Sequence, residues 1–335
     1  MTLDIKRCEE LFNDDESLRE VKDWRMTSER RDGGKAESKP KRKIPVIEII
    51  RKTVQIVCFI LLNAGIFGVA PQPIILPILQ SLGSPYNTVS EAIGIIQWML
   101  YTLEFPWLPL ASITLIIIIS GRAVCGWVCP FGLIQDLLTY IRKEHTRISP
   151  KTHRSLLLTK YLILASTLII SGALAAASIS GVGQEYRRAL GVFGAGPFTS
   201  LSPSDTLFAV TPRLLIIFEY QLMTPFDVYE ASILEILTSS LLWMRILIMV
   251  GVLVLAVYVP RGWCRYLCPQ GALSALISRF SLLGLRRDPV RCMRATCRAC
   301  MDACPMNIRI LDLPWEKFTD PECIYCLRCV EACPT

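Results

Sequence analysis

The chain has 335 residues, of which 52% are apolar, with positive mean hydropathy and a formal net charge of +7. That length holds a membrane domain plus one small further domain. The modest basic excess sits in a tail and in loops beside apolar runs, so it reads as a membrane-topology signal and excludes a nucleic-acid footprint.

Fourteen cysteines are present. Twelve fall in C-x-x-C, C-x-x-x-C or C-x-x-x-x-C spacings, which point to metal or cluster ligation in a reducing compartment rather than to a disulfide framework. Residues 1–43 are dense in both charges and show no cleavable signal peptide. They read as a charged cytoplasmic arm, with a weak helical stripe at Leu11, Leu18, Val21 and Trp24. Cys8 belongs to this tail, and Cys58 reads as a buried apolar residue.

Residues 44–287 read as an all-α membrane domain with four transmembrane helices in two repeated two-helix halves. The apolar runs are Val54–Ala70, Trp107–Val124, Leu156–Ile179 and Leu241–Val259, each near the ~20 residues that a bilayer requires. Arg142, Lys143, Arg147, Lys151 and Arg154 crowd the loop between the second and third runs, whereas segment 71–106 has no Lys or Arg. The positive-inside rule then predicts a multi-pass protein of the cytoplasmic (inner) membrane, with both termini and the 125–155 loop cytoplasmic. The outer segments are long, carry further apolar stretches at Ile93–Leu103 and Leu214–Met223, and echo each other in Leu76–Ser81 and Pro197–Ser202.

A matched motif closes each half. Cys125-Gly-Trp-Val-Cys129-Pro130-Phe-Gly132 follows the second run, and Cys264-Arg-Tyr-Leu-Cys268-Pro269-Gln-Gly271 follows the fourth. Each opens an amphipathic stretch, about Phe131–Lys143 and Gly271–Leu285, that is expected to lie along the membrane surface. Residues four apart on a helix share a face, so each motif presents two sulfurs in one direction. If the halves pack about a pseudo-two-fold axis, the four thiols converge, with Arg122, Arg261 and Arg265 nearby to favour thiolate. Three readings stay open: an additional iron–sulfur cluster at Cys125, Cys129, Cys264 and Cys268; unligated or redox-active thiols; and a transient copper or zinc site.

Residues 288–335 read as a small α+β two-cluster ferredoxin-like domain. Its first set is Cys292-x4-Cys297-x2-Cys300-x3-Cys304-Pro305, and its second is Cys323-x2-Cys326-x2-Cys329-x3-Cys333-Pro334. In two-cluster ferredoxins the fourth Cys of each run ligates the other cluster. One [4Fe–4S] cluster is therefore assigned to Cys292, Cys297, Cys300 and Cys333, and the second to Cys323, Cys326, Cys329 and Cys304. Zinc sites usually show two C-x2-C pairs instead of two triplets each followed by Cys-Pro.

Other features carry less. His145 and His153 lie in the basic loop, so no span holds a histidine for a b-type haem, and there is no C-x-x-C-H motif or phosphate-binding glycine pattern. Glu104, Glu185, Tyr186, Arg187, Arg188, Glu219, Tyr220 and Arg245 are the polar groups expected near the outer surface. They read either as helix-bridging pairs or as a quinone head-group pocket.

The order of parts resembles the NapH/NosR/CcoG-type membrane ferredoxins over about residues 44–335. The resemblance rests on the four apolar runs, the twin motifs and the two sets ending in Cys304-Pro305 and Cys333-Pro334. No segment like the flavin-binding domain of NosR relatives precedes the first run, and no further soluble domain of the CcoG kind follows Pro334, so the NapH-like branch is expected. The resemblance implies a non-catalytic or quinone-reactive electron-transfer subunit. It would relay electrons between the quinone pool and partner redox subunits of a respiratory complex. The alternative is a metal-handling, copper-reducing or maturation factor for a respiratory enzyme.

Overall fold

The computed structural model describes residues 45–70, 72–81, 84, 86–142, 145–146, 148–190, 201–216, 239–292 and 297–334. The chain divides into two compact units, 1–44 and 45–335. The first unit, with the expected arm and Cys8, lies outside the described residues, as do Glu219 and Tyr220.

The second unit is mostly helical, and local chemistry sets its boundaries. Helix α1 (Val46–Leu62) ends at Asn63, whose side-chain amide donates back to Phe59 O at 2.8 Å. A single turn Ala64–Phe67 follows, closed by left-handed Gly68. Strands β1 (Gln72–Leu76) and β2 (Val89–Glu91) pair in parallel with an irregular register. Helices α2 (Ala92–Tyr101) and α3 (Trp107–Ser120) come next.

The first motif forms a short helix α4 (Ala123–Trp127), and α5 (Pro130–Leu138) follows directly. Proline fixes the φ of a first helical turn and pushes the preceding residue out of the helical region. Cys129 accordingly sits at φ −58°, ψ 119°, and the chain turns there. The second motif repeats the device: α9 (Gly262–Tyr266), extended Cys268, then α10 (Pro269–Ser278).

Between the motifs run α6 (Pro150–Ile179), α7 (Gly183–Leu190), a helical segment from Pro203 with a π-turn at Thr206–Val210, and α8 (Ser240–Tyr258). Ser149 and Ser239 cap α6 and α8 by accepting from the amides of Thr152 and Leu242, both at 3.3 Å. The C-terminal part holds β3 (Leu285–Arg286) antiparallel to β4 (Lys317–Phe318), with short helices α11 (Ala299–Asp302) and α12 (Arg328–Glu331).

Two of the four expected spans correspond to helices long and apolar enough to cross a membrane: Lys151–Ile179 and Ser240–Tyr258. The apolar helix at the second expected run is shorter, Trp107–Ser120, because Gly121 at φ 59° ends it. The first helix covers Val46–Leu62 instead of Val54–Ala70, since Asn63 and Gly68 break the run. Around all of these the usual distribution is inverted. Leu162, Ile169 and Leu247 are about 70% exposed, whereas Arg51, Arg122, Lys160 and Arg261 are fully buried.

The helices after the two motifs are not simple surface helices. Helix α5 packs on α1 and α8, and α10 packs on α6 and α3, so each sits between one early and one late helix. Their polar side chains (Gln135, Asp136, Gln270, Ser274) are buried, while Leu137, Ile141, Leu276 and Phe280 face outward.

The C-terminal part is seated on this bundle. A Cβ at Gly126 would collide with Ile324 O, so only glycine permits the approach. Trp127 Nε1 donates to Tyr325 O at 2.8 Å. Glu331 accepts from the amides of Ile47 and Glu48 at 2.9 and 3.2 Å, capping α1 from a residue nearly 300 positions away. Gly126→Ala should therefore cost about 1–3 kcal/mol by overpacking and open residues 288–334 to protease. Gly172→Ala, in α6 with nothing within 4 Å, should be neutral or slightly stabilising. Equal proteolysis of the two variants would refute this account of the contact.

Candidate metal centres

Cys304, Cys323, Cys326 and Cys329 line a single cavity walled by Met306, Ile308, Ile310, Phe318 and Ile324. Elements distant in sequence build it. Cys304 leaves the end of α11, Cys323 and Cys326 lie on the loop after β4, and Cys329 is in α12. Left-handed Tyr325 and Leu327 (φ 50° and 58°) coil that loop tightly enough to aim three thiols inward. Burial, reinforced by the neighbouring thiols, pushes Cys323 and Cys329 up to about 12. Four thiols in an apolar cavity become thiolates only around positive charge, which an iron–sulfur core provides. The donor set and the cavity both fit that group.

The other set is more open. Cys292 and Cys297 are close enough to Cys300 to add to the upward push that burial gives its thiol. Cys333 is exposed.

The twin motifs converge. Cys129, Cys264 and Cys268 are 4–6% exposed in one core with Phe131 and Trp263, whose rings meet edge-to-face at 6.3 Å. Burial, then Cys264 and Cys125, pushes the Cys129 thiol up to about 12. Cys268 is pushed well above the usual thiol range by burial and then by Cys264, with Cys125 and Cys129 adding. Polar groups already point at the sulfurs: Gln135 Nε2 donates to Cys264 Sγ, and the Gly271 amide to Cys268 Sγ, both at 3.1 Å.

The motifs also exchange arginines. Arg261, three residues before Cys264, donates to Cys125 O at 2.8 Å. Arg122, three before Cys125, reaches the second motif, with Nη2 3.0 Å from where a Cβ on Gly271 would stand.

Charge around this centre is unbalanced. Asp136 pairs with Arg51, Lys52 and Arg261; Glu322 pairs with Arg122 and Lys160; Glu48 pairs with Arg51 and Arg328. Six cations thus share three carboxylates in direct ion pairs, and Asp320 is a fourth carboxylate near Arg122 and Lys160, so positive charge stays in excess. Several buried donors lack a partner as well, among them Arg122 Nε, Trp263 Nε1 and Gln270 Nε2. An anionic group with sulfur acceptors held by the four cysteines would answer both deficits, so the residues fit such a group. Among the described residues, no three His, Cys, Asp or Glu side chains close on a single metal ion.

Cys125 joins the two centres, since it also packs against the core around Cys326. Glu48 lies at the edge of this junction. Burial raises its carboxyl, but Arg328 and Arg51 outweigh that and hold it down at about 2.

Among the described residues, the expected outer polar groups do not gather. Glu104, Glu185, Tyr186 and Arg188 are exposed. Arg245 pairs with Asp205 at 3.1 Å, and Asp205 also accepts from Ser81 Oγ. Sequence reasoning missed Asp205, Glu91, Asp136 and Glu322, all buried or nearly so. Only Glu322 carried a signal, since it directly precedes Cys323.

Comparison with known proteins agrees with these centres. A model described as a 4Fe-4S binding domain matches residues 106–149 and again 241–288, and a 4Fe-4S dicluster domain matches 284–334. The first two matches contain the twin motifs, and the third contains all eight C-terminal cysteines. The ferredoxin-type protein NapH of Haemophilus influenzae is 26% identical over 64% of this chain and 61% of its own length. Over the matched region the chain is similar to the NapH/NosR-type ferredoxins. Among its relatives, the putative electron transport protein YccM of Escherichia coli is 24% identical over 71% of this chain and 58% of its own. The uncharacterized protein MJ0749 of Methanocaldococcus jannaschii is 28% identical over 64% and 62%. The matched region thus spans about three-fifths of each of these relatives. No solved structure matches.

Glu322 ties the C-terminal part to the bundle through two fully buried cations. Removing one partner of a buried pair typically costs about 3–5 kcal/mol. Glu322→Gln should lose that much in thermal or denaturant unfolding, and Glu322→Asp should recover part of it. A loss below about 1 kcal/mol would show that Arg122 and Lys160 are satisfied elsewhere.

Proposed function

We propose that the protein is a membrane electron-transfer subunit that relays single electrons between the quinone pool and partner redox subunits. The cavity shared by Cys304, Cys323, Cys326 and Cys329, abutting Cys125 of the four-cysteine core, carries the reading. In this proposal Cys323, Cys326, Cys329 and Cys304 hold one [4Fe–4S] cluster and Cys292, Cys297, Cys300 and Cys333 the other. Cys125, Cys129, Cys264 and Cys268 hold a third iron–sulfur group. The bound clusters supply reversible one-electron chemistry.

The chain's own residues do the rest. Met306, Ile308, Ile310 and Phe318 keep water from the first cavity, and Gln135 and the Gly271 amide orient donors to sulfur. Arg122 and Arg261 hold positive charge beside the four cysteines, which favours the more reduced, more negative state.

The two long apolar helices and the outward-facing Leu and Ile side chains support a bilayer around the bundle. The exchanged packing of α5 and α10 supports two repeated halves. We infer a multi-pass protein of the inner membrane with four spans and both termini cytoplasmic. Quinone as the lipid-soluble redox partner rests on the family resemblance.

Two measurements test this. Anaerobically purified wild type should carry about four more irons per chain than Cys129→Ser or Cys268→Ser; equal iron in all three removes the four-cysteine centre. In proteoliposomes, a reduced quinone should reduce the bound clusters, seen by EPR. Clusters that dithionite reduces but no quinol reduces would overturn the quinone relay.

A further inference from the structure

Three consecutive residues after β1 connect the four-cysteine core to two carboxylates. The amide of Leu79 lies against the Cys129 sulfur. The amide of Gln80 donates to Glu91 Oε2 at 3.0 Å. Ser81 Oγ–H donates to Asp205. Adjacent Cα atoms are 3.8 Å apart, so one residue of chain and two contacts separate the Glu91 carboxyl from the Cys129 sulfur, about 10 Å or less.

The two carboxylates are not equivalent. Asp205 has its counter-ion in Arg245 at 3.1 Å. Glu91, at the end of β2 and 2% exposed, has no ion pair among the described residues. Its sheet partner β1, helix α2 as far as Leu100, helix α3 and the 162–179 stretch of α6 contain no ionisable residue. Asp205, a like charge, is the one that faces it. Burial pushes the Glu91 carboxyl up to about 8, Asp205 adds to this, and the Gln80 amide offsets only part.

Nearby acceptors also exceed donors. Gln80 is fully buried and its Oε1 has no partner. A buried carboxylate without a cation, near a thiol-ligated site, changes its proton affinity with the charge of that site. At such a separation and an effective dielectric near 20, one electron shifts that affinity on the order of tenfold.

We propose that Glu91 is the proton acceptor coupled to the four-cysteine centre, binding one proton as that centre gains one electron and releasing it as the electron leaves. This rests on the reading that Cys125, Cys129, Cys264 and Cys268 hold a redox group. The electron comes from the adjoining centre of Cys304, Cys323, Cys326 and Cys329, which is oxidised by one electron. The proton comes from hydronium: one O–H bond breaks there and one forms on the Glu91 carboxylate. Asp205, neutralised by Arg245, acts as a positioning residue through Ser81.

The test is an EPR-monitored redox titration of the full chain in nanodiscs between pH 6 and 9, on wild type, Glu91→Gln and Glu91→Asp, with iron quantified in each. In wild type the midpoint of the centre lost in Cys129→Ser should fall with rising pH, by about 30 mV per unit at its steepest and about 59 mV in all, as a tenfold change in proton affinity gives for a one-electron couple. Glu91→Gln should flatten that slope with iron unchanged, and Glu91→Asp should restore part of it. Reduced-minus-oxidised infrared spectra should show a protonated carboxyl band in wild type that Glu91→Gln lacks. A pH-independent wild-type midpoint, a slope that survives in Glu91→Gln, or a midpoint that follows sodium instead of pH would each overturn the proposal while leaving the cluster in place. Iron equal in wild type and Cys129→Ser would remove the four-cysteine centre itself, and this coupling with it.

Discussion

Buried positive charge is the constraint on which the rest of this fold depends. Arg51, Arg122, Lys160 and Arg261 are all fully buried, and an uncompensated buried ion costs several kcal/mol. Asp136 and Glu322 each draw several of them together. Because those cations come from α1, the turn after α3, α6 and the turn after α8, each carboxylate is a junction of several elements. Glu322 belongs to the C-terminal part, so docking that part is how Arg122 and Lys160 acquire their anion. The same charges surround the thiols of the four-cysteine core. A cation excess that would destabilise an empty core stabilises an anionic one, so binding of a sulfur-rich anion and folding of this region are coupled.

Legibility in the sequence followed the range of the interaction. The cysteine sets were readable because a short tight loop fixes ligand spacing locally, and Pro after Cys129 and Cys268 sets the turn that follows. The two-cluster ferredoxin pattern predicts the crossed grouping of Cys304 with Cys323, Cys326 and Cys329, and these four are among the residues that line one cavity. Convergence of the twin motifs needed an assumption about how the halves pack, and the exchange of α5 and α10 between early and late helices is compatible with it.

What escaped was set by tertiary contacts. The helix at Val46–Leu62 starts before the expected run Val54–Ala70, and its first two turns carry Glu48, Arg51 and Lys52. Those side chains find partners in Asp136 and Arg328 instead of water. Helices α5 and α10 looked like surface helices by periodicity. Their polar stripe faces the protein and Leu137 and Leu276 face out, the reverse of a soluble helix, which a moment without a known exterior cannot distinguish. Glu91 and Asp205 gave no signal because a carboxylate in an apolar segment reads as a surface residue until the chain is seen to fold back over it.

That fold-back gives the segment after β1 its meaning. Ile78 and Leu79 are buried beside Cys129, so the chain brings backbone amides into an otherwise apolar core. An amide in such a core needs an acceptor. The amide at Leu79 faces sulfur, and the one at Gln80 is met by Glu91. A carboxylate placed there to satisfy an amide is at the same time held near a thiol core with no cation of its own. The backbone requirement thus places a titratable group where its charge senses that of the four-cysteine core. A neutral acceptor such as Gln would satisfy the amide equally well while removing that sensitivity, and this separates a structural role for Glu91 from an electrostatic one.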